Sequence, residues 1–504
     1  MLRGFFRMLS LLCSIVTVLL AVTFSAFAAE NVPEEAENIS GKKLVEKHTG
    51  ISSVNMLFDG RTKEPVKFRD GTQIILSYDG GIGSLYLVFD VEYGEYTVTN
   101  PDTRQTYTGG TDGFLHEFLD LEEIFGCVPN RVQLSFENGD GKLNEIYAFT
   151  SGRTPSFVQK WQQPADGETD IVLFSTHGDD EQLFFAGMLP YYAVERDCQV
   201  QVVYMTGHRN MSMRRSHEML DGLWAVGIRS YPVFGSFGDY NTSSASEAYH
   251  RYLQKGISRE DILSYVVEQI RRFRPKVAVG HDLAGEYGHG MHMVYAENLC
   301  DAVEVSSDPE QFPESAERYG TWDVPKTYLH LYSENPVVMD WDQPLESLGG
   351  RTPFEVTKEL GFPCHVSQQT YYSWYFAGKK TAADITQYSP CEFGLYRSAV
   401  GADVSKNDFL ENVTTYAQDA LLEQQRLEEA ARLEAEEAAR LAEEAKRQQE
   451  PTAPQKVQAV EQPEPDPQIP EKIPGSIVSL AVVALFALAT AVVLLASGSK
   501  NKKI

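Results

Sequence analysis

Ile171-Val172-Leu173-Phe174-Ser175-Thr176-His177-Gly178-Asp179-Asp180-Glu181 sets an apolar strand directly before a turn that carries one imidazole and three carboxylates. Imidazole nitrogen and carboxylate oxygen are both zinc ligands, and a catalytic zinc keeps three protein ligands and an open position for water. Taken alone, an Asp-Asp-Glu turn after a strand is more often a helix cap, because carboxylates satisfy free backbone amides and complement the helix dipole. A second motif elsewhere in the chain decides between the two readings.

That motif is Glu286-Tyr287-Gly288-His289-Gly290-Met291-His292, which follows another short apolar strand, Val277 to Val279. Alone, two histidines at this spacing are usually a surface pair, but His289 and His292 can also face one point. Strands and helices alternate around both motifs: Asp170 to Ser175, Val200 to Met205, a helix near Met213 to Val226, then Ile262 to Phe273 leading into Lys276 to Gly280. Such alternation implies a parallel sheet with helices on both faces. The expected class is α/β, a Rossmann-like parallel sheet sandwiched by helices over residues 168–410. Ligands in open α/β sheets sit beyond the carboxyl ends of the strands, and both histidine motifs fall there. Their joint placement favours a metal site.

These residues resemble the PIG-L or LmbE-like zinc-dependent N-acetylglucosaminide deacetylases, whose two signatures read PHPDDE and HPDH. Here they read THGDDE and HGMH. Cys364-His365-Val366-Ser367-Gln368 is similar to the late AHxSQ segment of that family, and Arg215, Glu218 and Gly227 echo its RxxE…LG helix. The resemblance implies a zinc cofactor held by His177, Asp180 and His292, with Asp179 as the base that takes a proton from the attacking water. It also implies that His289 stabilises the oxyanion or protonates the leaving amine, both in charged form. Arg215 and Asp239 are expected to position sugar hydroxyls, and His365 to lie near the rim. Gly178 and Gly290 stand where the family carries proline with its fixed backbone angle, and Met291 replaces an aspartate that could orient a neighbouring histidine. His217 and His281 match no motif and are expected to be structural or exposed.

The chain is 504 residues long, enough for about three units. Residues 1–29 read as a secretory signal peptide: Arg3 and Arg7, an apolar stretch from Leu9 to Val22, then Ala26-Phe27-Ala28. Residues 41–152 alternate apolar and polar positions in short runs, such as Gln73 to Tyr78, Ser84 to Val91, Arg131 to Glu137 and Glu145 to Thr150. Period-two runs favour an antiparallel sandwich. Leu57-Phe58-Asp59-Gly60 near its start resembles a galactose-binding or discoidin-type jelly roll, either as a spacer or as a sugar-binding module.

Residues 413–450 turn to Glu, Ala, Arg, Leu and Gln and read as a charged helical stalk, with Glu428–Arg432, Glu436–Arg440 and Glu443–Arg447 as i,i+4 pairs. Its AARL element recurs after eight residues, an offset that does not sustain a coiled-coil seam. A Pro-rich linker follows at 451–475, then an uncharged apolar run at 477–496 of transmembrane length, then a short basic tail at 497–504. Lys500, Lys502 and Lys503 place that tail in the cytoplasm and the large domain outside.

Beyond residue 29 five cysteines remain, none in CxxC spacing, and Cys364 with Cys391 is the candidate bridge by sequence proximity. A formal charge of -27 excludes nucleic acid as a natural partner, since phosphate binding needs a basic face. The expectation is a membrane-anchored extracellular zinc deacetylase of an N-acetylglucosamine-type glycan or glycoconjugate. The alternatives are a catalytically impaired glycan-binding adhesin on the same scaffold, or a zinc hydrolase of another amide.

Overall fold

The computed structural model describes residues 34–62, 64–207 and 213–449. Eight antiparallel strands come first: β1 (Val45–Ile51), β2 (Val66–Ser77), β3 (Ser84–Phe89), β4 (Tyr96–Thr99), β5 (Thr106–Gly109), β6 (His116–Asp120), β7 (Arg131–Phe136) and β8 (Gly141–Phe149). Their order is β5-β4-β7-β2-β8-β3-β6, with β1 beside β2. The long strand β2 changes partner along its length: Val66 to Phe68 pair with β8, and Thr72 to Ser77 with β7. Strand β3 departs from the expected alternation and is buried throughout. Its outer positions, Tyr86 and Val88, pack with Ala36, Phe149 and Val158 in a small second core.

The next seven strands are β9 (Ile171–Ser175), β10 (Val200–Thr206), β11 (Val233–Phe237), β12 (Val277–Gly280), β13 (Lys326–His330), β14 (Pro336–Val338) and β15 (Glu392–Ser398), in the order β11-β10-β9-β12-β13-β15-β14. The first five of that order are parallel neighbours. Strands β15 and β14 add an antiparallel edge, so the sheet is mixed rather than wholly parallel. Every residue of β9 is buried, and the pleat sorts them: Ile171 and Leu173 join one apolar layer, Val172 and Phe174 the other. Burial on both faces turns alternation into a continuous apolar run.

Helix Arg259–Phe273 leads into β12 and begins with a capping box in which Ser258 and Asp261 bond each other's backbone amides. Strands β9 and β12 are direct neighbours, so the turns leaving them, at 176–181 and 281–289, emerge side by side. That adjacency brings the two histidine motifs together.

The β-domain shares a core with the α/β domain. Phe114 and Leu115 belong to the α/β apolar layer, the rings of Phe114 and Tyr231 stack at 4.4 Å, and Tyr231 Oη accepts the Leu115 N–H at 3.2 Å. Tyr86 Oη lies 2.6 Å from His116 Nδ1, and His116 Nε2 lies 2.7 Å from His217 Nδ1. His217 is thus buried, in a hydrogen-bonded chain running from the β-domain to helix Met213–Ala225.

Helix Tyr416–Gln449 closes the described chain. Its first residue is anchored, with the Tyr416 N–H on Asp170 Oδ1 at 2.8 Å and its hydroxyl on the Arg274 carbonyl at 2.7 Å. Two of the three expected ion pairs differ: Arg432 meets Glu429 and Arg440 meets Glu437, both at i,i+3, while Arg447 keeps Glu443. Both spacings bring side chains to one helix face, so either glutamate is within reach. Cys364 and Cys391 are not bridged, and all five described cysteines are free. Cys391 is buried, while Cys364 donates its thiol to the Leu360 carbonyl. Among the described residues no helix is long and apolar enough to cross a membrane. The segments 1–29, 451–475, 477–496 and 497–504 lie outside the described residues.

Candidate metal centre

The three carboxylates of the first turn take three different tasks. Asp179 occupies the cap position of the short helix Asp180–Leu183, yet its side chain makes no cap bond. It faces Arg215, whose Nη2 lies 3.0 Å from Asp179 Oδ1 and donates to the Gly178 carbonyl at 3.2 Å. Glu181 turns inward to His365, with Oε1 3.1 Å from Nε2. His365 is therefore fully buried behind the turn and not at the rim.

Asp180 meets the histidines. Its Oδ2 lies 3.0 Å from His177 Nδ1 and 3.2 Å from His292 Nε2, and those two nitrogens are 3.1 Å apart. A tetrahedral zinc with bonds of about 2.0–2.1 Å sets its ligand atoms about 3.3 Å apart, close to each edge of this triangle. Proton placement makes the fit stronger. His177 Nε2 lies 3.1 Å from Asp239 Oδ1, and His292 Nδ1 lies 2.6 Å from Glu286 Oε2. Each carboxylate takes the N–H of its imidazole, which leaves both inward nitrogens as lone pairs facing the Asp180 anion. Lone pairs and a carboxylate converging without a proton call for a cation.

Without an ion at the centre, protons take the place of that cation. Burial disfavours the His177 and His292 imidazolium ions, but Asp180, helped by Asp239 at His177 and by Glu286 at His292, raises them to about 10 and about 9. Burial also opposes ionisation of Asp180, and the same two histidines overcome it and hold its carboxyl well below the usual range. The centre attracts positive charge. The combination of Asp180, His281 and His292 fits less well: His281 Nε2 accepts the Thr176 N–H at 2.9 Å and its Nδ1 faces Glu286 at 2.9 Å, so neither nitrogen is available as a ligand.

His289 caps helix Gly290–Val305, its Nδ1 accepting the Met291 N–H at 3.2 Å. Burial and the neighbouring His177 and His292 push its imidazolium down to about 3. The expectation of a charged ring meets a site that favours the neutral one, with its remaining proton on Nε2. Burial raises the Asp179 carboxyl, and Arg215 opposes that rise.

A cavity of about 440 Å³ adjoins the centre, with Asp179, Arg215, Asp239 and His289 on its polar side and Tyr287, Tyr371 and Trp374 on its aromatic side. The sequence reading did not give Glu286 a role, left out His330 and set His281 aside. It placed Asp239 on substrate hydroxyls, whereas one of its oxygens holds His177. Glu218, from the same helix as Arg215, accepts the Ser367 N–H at 3.1 Å, so the helix and the late segment are joined.

The glycine departures have a packing reason. A Cβ at residue 178 would fall on the Met219 side chain, and one at 290 on the Ser244 carbonyl and Thr242 hydroxyl. The Gly290 N–H donates to the Thr242 carbonyl at 2.8 Å, a bond that proline could not make.

No family model matches this chain. It is 31% identical over 136 residues to 1D-myo-inositol 2-acetamido-2-deoxy-alpha-D-glucopyranoside deacetylase 2 of Saccharopolyspora erythraea, covering 27% of this chain and 45% of that protein. It is 25% identical over 282 residues to the corresponding deacetylase 1 of Frankia casuarinae, covering 46% of this chain and 90% of that protein. The chain thus spans about half the length of the first of these relatives. N,N'-diacetylchitobiose deacetylase from Pyrococcus horikoshii superposes with a TM-score of 0.30 and 15% identity, over 45% of this chain and 83% of that one. The relatives are N-acetylglucosaminide deacetylases, as the two motifs led one to expect.

Proposed function

We propose that this chain is a zinc-dependent hydrolase that removes the acetyl group from an N-acetylglucosamine-type residue of a glycan or glycoconjugate. One observation carries the reading: the triangle of His177 Nδ1, Asp180 Oδ2 and His292 Nε2, with edges of 3.0–3.2 Å, opens toward a cavity that Asp179 also lines. Zinc held there by His177, Asp180 and His292 would supply a Lewis acid for the acetyl carbonyl and would lower the pKa of water.

Asp179, raised by burial and steadied by Arg215, takes the proton of the attacking water. His289, neutral and at a helix N-terminus, offers its Nε2–H to the oxygen on which charge develops; neutrality suits an electrophile at such a position. The proton gathered by Asp179 is then available to the leaving nitrogen as the C–N bond breaks. Tyr287, Tyr371 and Trp374 are 42%, 40% and 47% exposed, and such rings offer apolar faces to a sugar while their polar tips stay wet.

Residues 1–29 and the apolar run at 477–496 extend the proposal to a chain exported and tethered to a membrane, with the catalytic domain outside and the basic tail in the cytoplasm; the support is the sequence pattern. Purified full-length protein should contain zinc and release acetate from N-acetylglucosaminides, and Asp179→Asn should keep the zinc and lose the release. Unchanged release by that variant would remove the mechanism. Glycan binding without any acetate formed would move the chain to the adhesin reading. Protease added to intact cells should remove the catalytic domain, and full protection would overturn the topology.

A further inference from the structure

We infer that Glu286 is the positioning carboxylate of the metal centre, taking over the orienting task that Met291 leaves vacant and clamping both motif loops to one buried anion. The inference rests on the zinc reading above. Glu286 is fully buried. Its Oε2 lies 2.6 Å from His292 Nδ1 and 2.9 Å from His281 Nδ1, and its Oε1 lies 2.7 Å from His330 Nδ1 and 3.3 Å from the Asp282 N–H. A carboxylate taken out of water is strongly disfavoured unless its lone pairs are satisfied and its charge is balanced. Four N–H partners do the first.

The partners on the far side of each ring show why the set is directional. His281 Nε2 accepts the Thr176 N–H, so its proton sits on Nδ1 and points at Glu286. His330 Nε2 faces the Ser389 carbonyl at 2.9 Å, an acceptor only, while its Nδ1 faces the carboxylate. Three ring Nδ1 atoms, from the loop after β12, the helix Gly290–Val305 and the end of β13, thus converge on one carboxylate. His292 then donates from Nδ1, and its Nε2 is left as the lone pair aimed at Asp180.

Glu286 therefore fixes the tautomer and ring plane of a metal ligand, as a carboxylate behind a metal-bound histidine does. Through His281 and the Thr176 amide it also reaches the turn that carries His177. One side chain registers the two motifs against each other.

The loop is bent to allow this. Gly285 has φ +67, and a Cβ there would fall on the His289 carbonyl. Tyr287 adopts the left-handed conformation at φ 46. Together they fold Glu286 back beneath His292. Met291 could not host the carboxylate, because its side chain lies wholly buried in the apolar layer with Val294, Tyr295 and Leu299.

The test uses the full chain with zinc and cobalt ions as the probes, so its outcome does not depend on any substrate being found. Glu286→Gln keeps the shape and removes the charge. Zinc affinity of the folded variant, measured by chelator competition, should fall by about 10- to 100-fold. The visible bands of the cobalt-loaded variant should shift, which a change confined to stability would not cause. Glu286→Asp keeps the charge with a shorter reach and should bind zinc between the parent and Glu286→Gln, or at least threefold more weakly than the parent if the glutamine variant does not fold. Parental zinc affinity and an unaltered cobalt spectrum in the folded variants would overturn the assignment. Absence of acetate release, by contrast, would count against the proposed reaction and leave the affinity result standing.

Discussion

Arg215 and Asp179 face each other across the turn, with the guanidinium Nη2 3.0 Å from the carboxylate Oδ1 and both side chains more than nine-tenths buried. Arg215 opposes the rise that burial imposes on the Asp179 carboxyl and holds it beside the proposed metal ligands without making it one of them. Asp179→Asn should lower kcat for acetate release by about 10²- to 10⁴-fold with the zinc content unchanged. Arg215→Met should lower it less, since it disturbs the base without removing it. Acetate release and metal content measured on the same preparations decide the matter.

Asp239 holds His177 Nε2 at 3.1 Å, so Asp239→Asn should weaken zinc binding by about 10- to 100-fold. A role confined to sugar hydroxyls would instead raise KM and leave affinity for the metal alone. Chelator competition run beside substrate titration separates the two.

Gly178 is matched to Met219, whose side chain fills the space of the missing Cβ. Gly178→Ala should destabilise by about 1–3 kcal/mol through overpacking. Met219→Ala alone leaves a cavity, and in combination the two should cost less than their sum. Denaturant unfolding of the four proteins gives the coupling, and strict additivity would show that the contact is relieved elsewhere.

The junction between the domains should be acid-sensitive. Burial pushes His217 down to about 4, with Asp90 and Glu218 opposing, and burial and His217 push His116 well below its ordinary value. Folded-state values below the unfolded ones mean that the neutral pair stabilises fully above about pH 6.5. That contribution is lost as pH falls from there through about 4. The melting temperature should drop over this window, and the drop should shrink in His217→Asn. Equal slopes in parent and variant would clear the pair of this role.

Both motif turns were legible because each follows a strand buried on two faces, and such strands appear as unbroken apolar runs. The triangle could be drawn from His177, Asp180 and His292 alone. The residues that orient it were not visible for a physical reason. Asp239 comes from the segment after β11 and His330 from the end of β13, and only sheet order puts them beside the motifs. Glu286 stood within the second motif, but its reach to His292 depends on the left-handed turn at Tyr287, which no residue type there announces. His365 was misplaced because a histidine set 3.1 Å from a buried glutamate and one facing solvent read alike in sequence. The antiparallel edge of β15 and β14 depends on long-range pairing that periodicity does not encode.

The Gly290 amide bonded to the Thr242 carbonyl ties the second motif loop to the segment that delivers Asp239 to His177. Each stretch then holds the other in place. Proline at 290 would strip that amide, loosen the stretch around Thr242 and slacken the hold of Asp239 on His177, more than a hundred residues upstream.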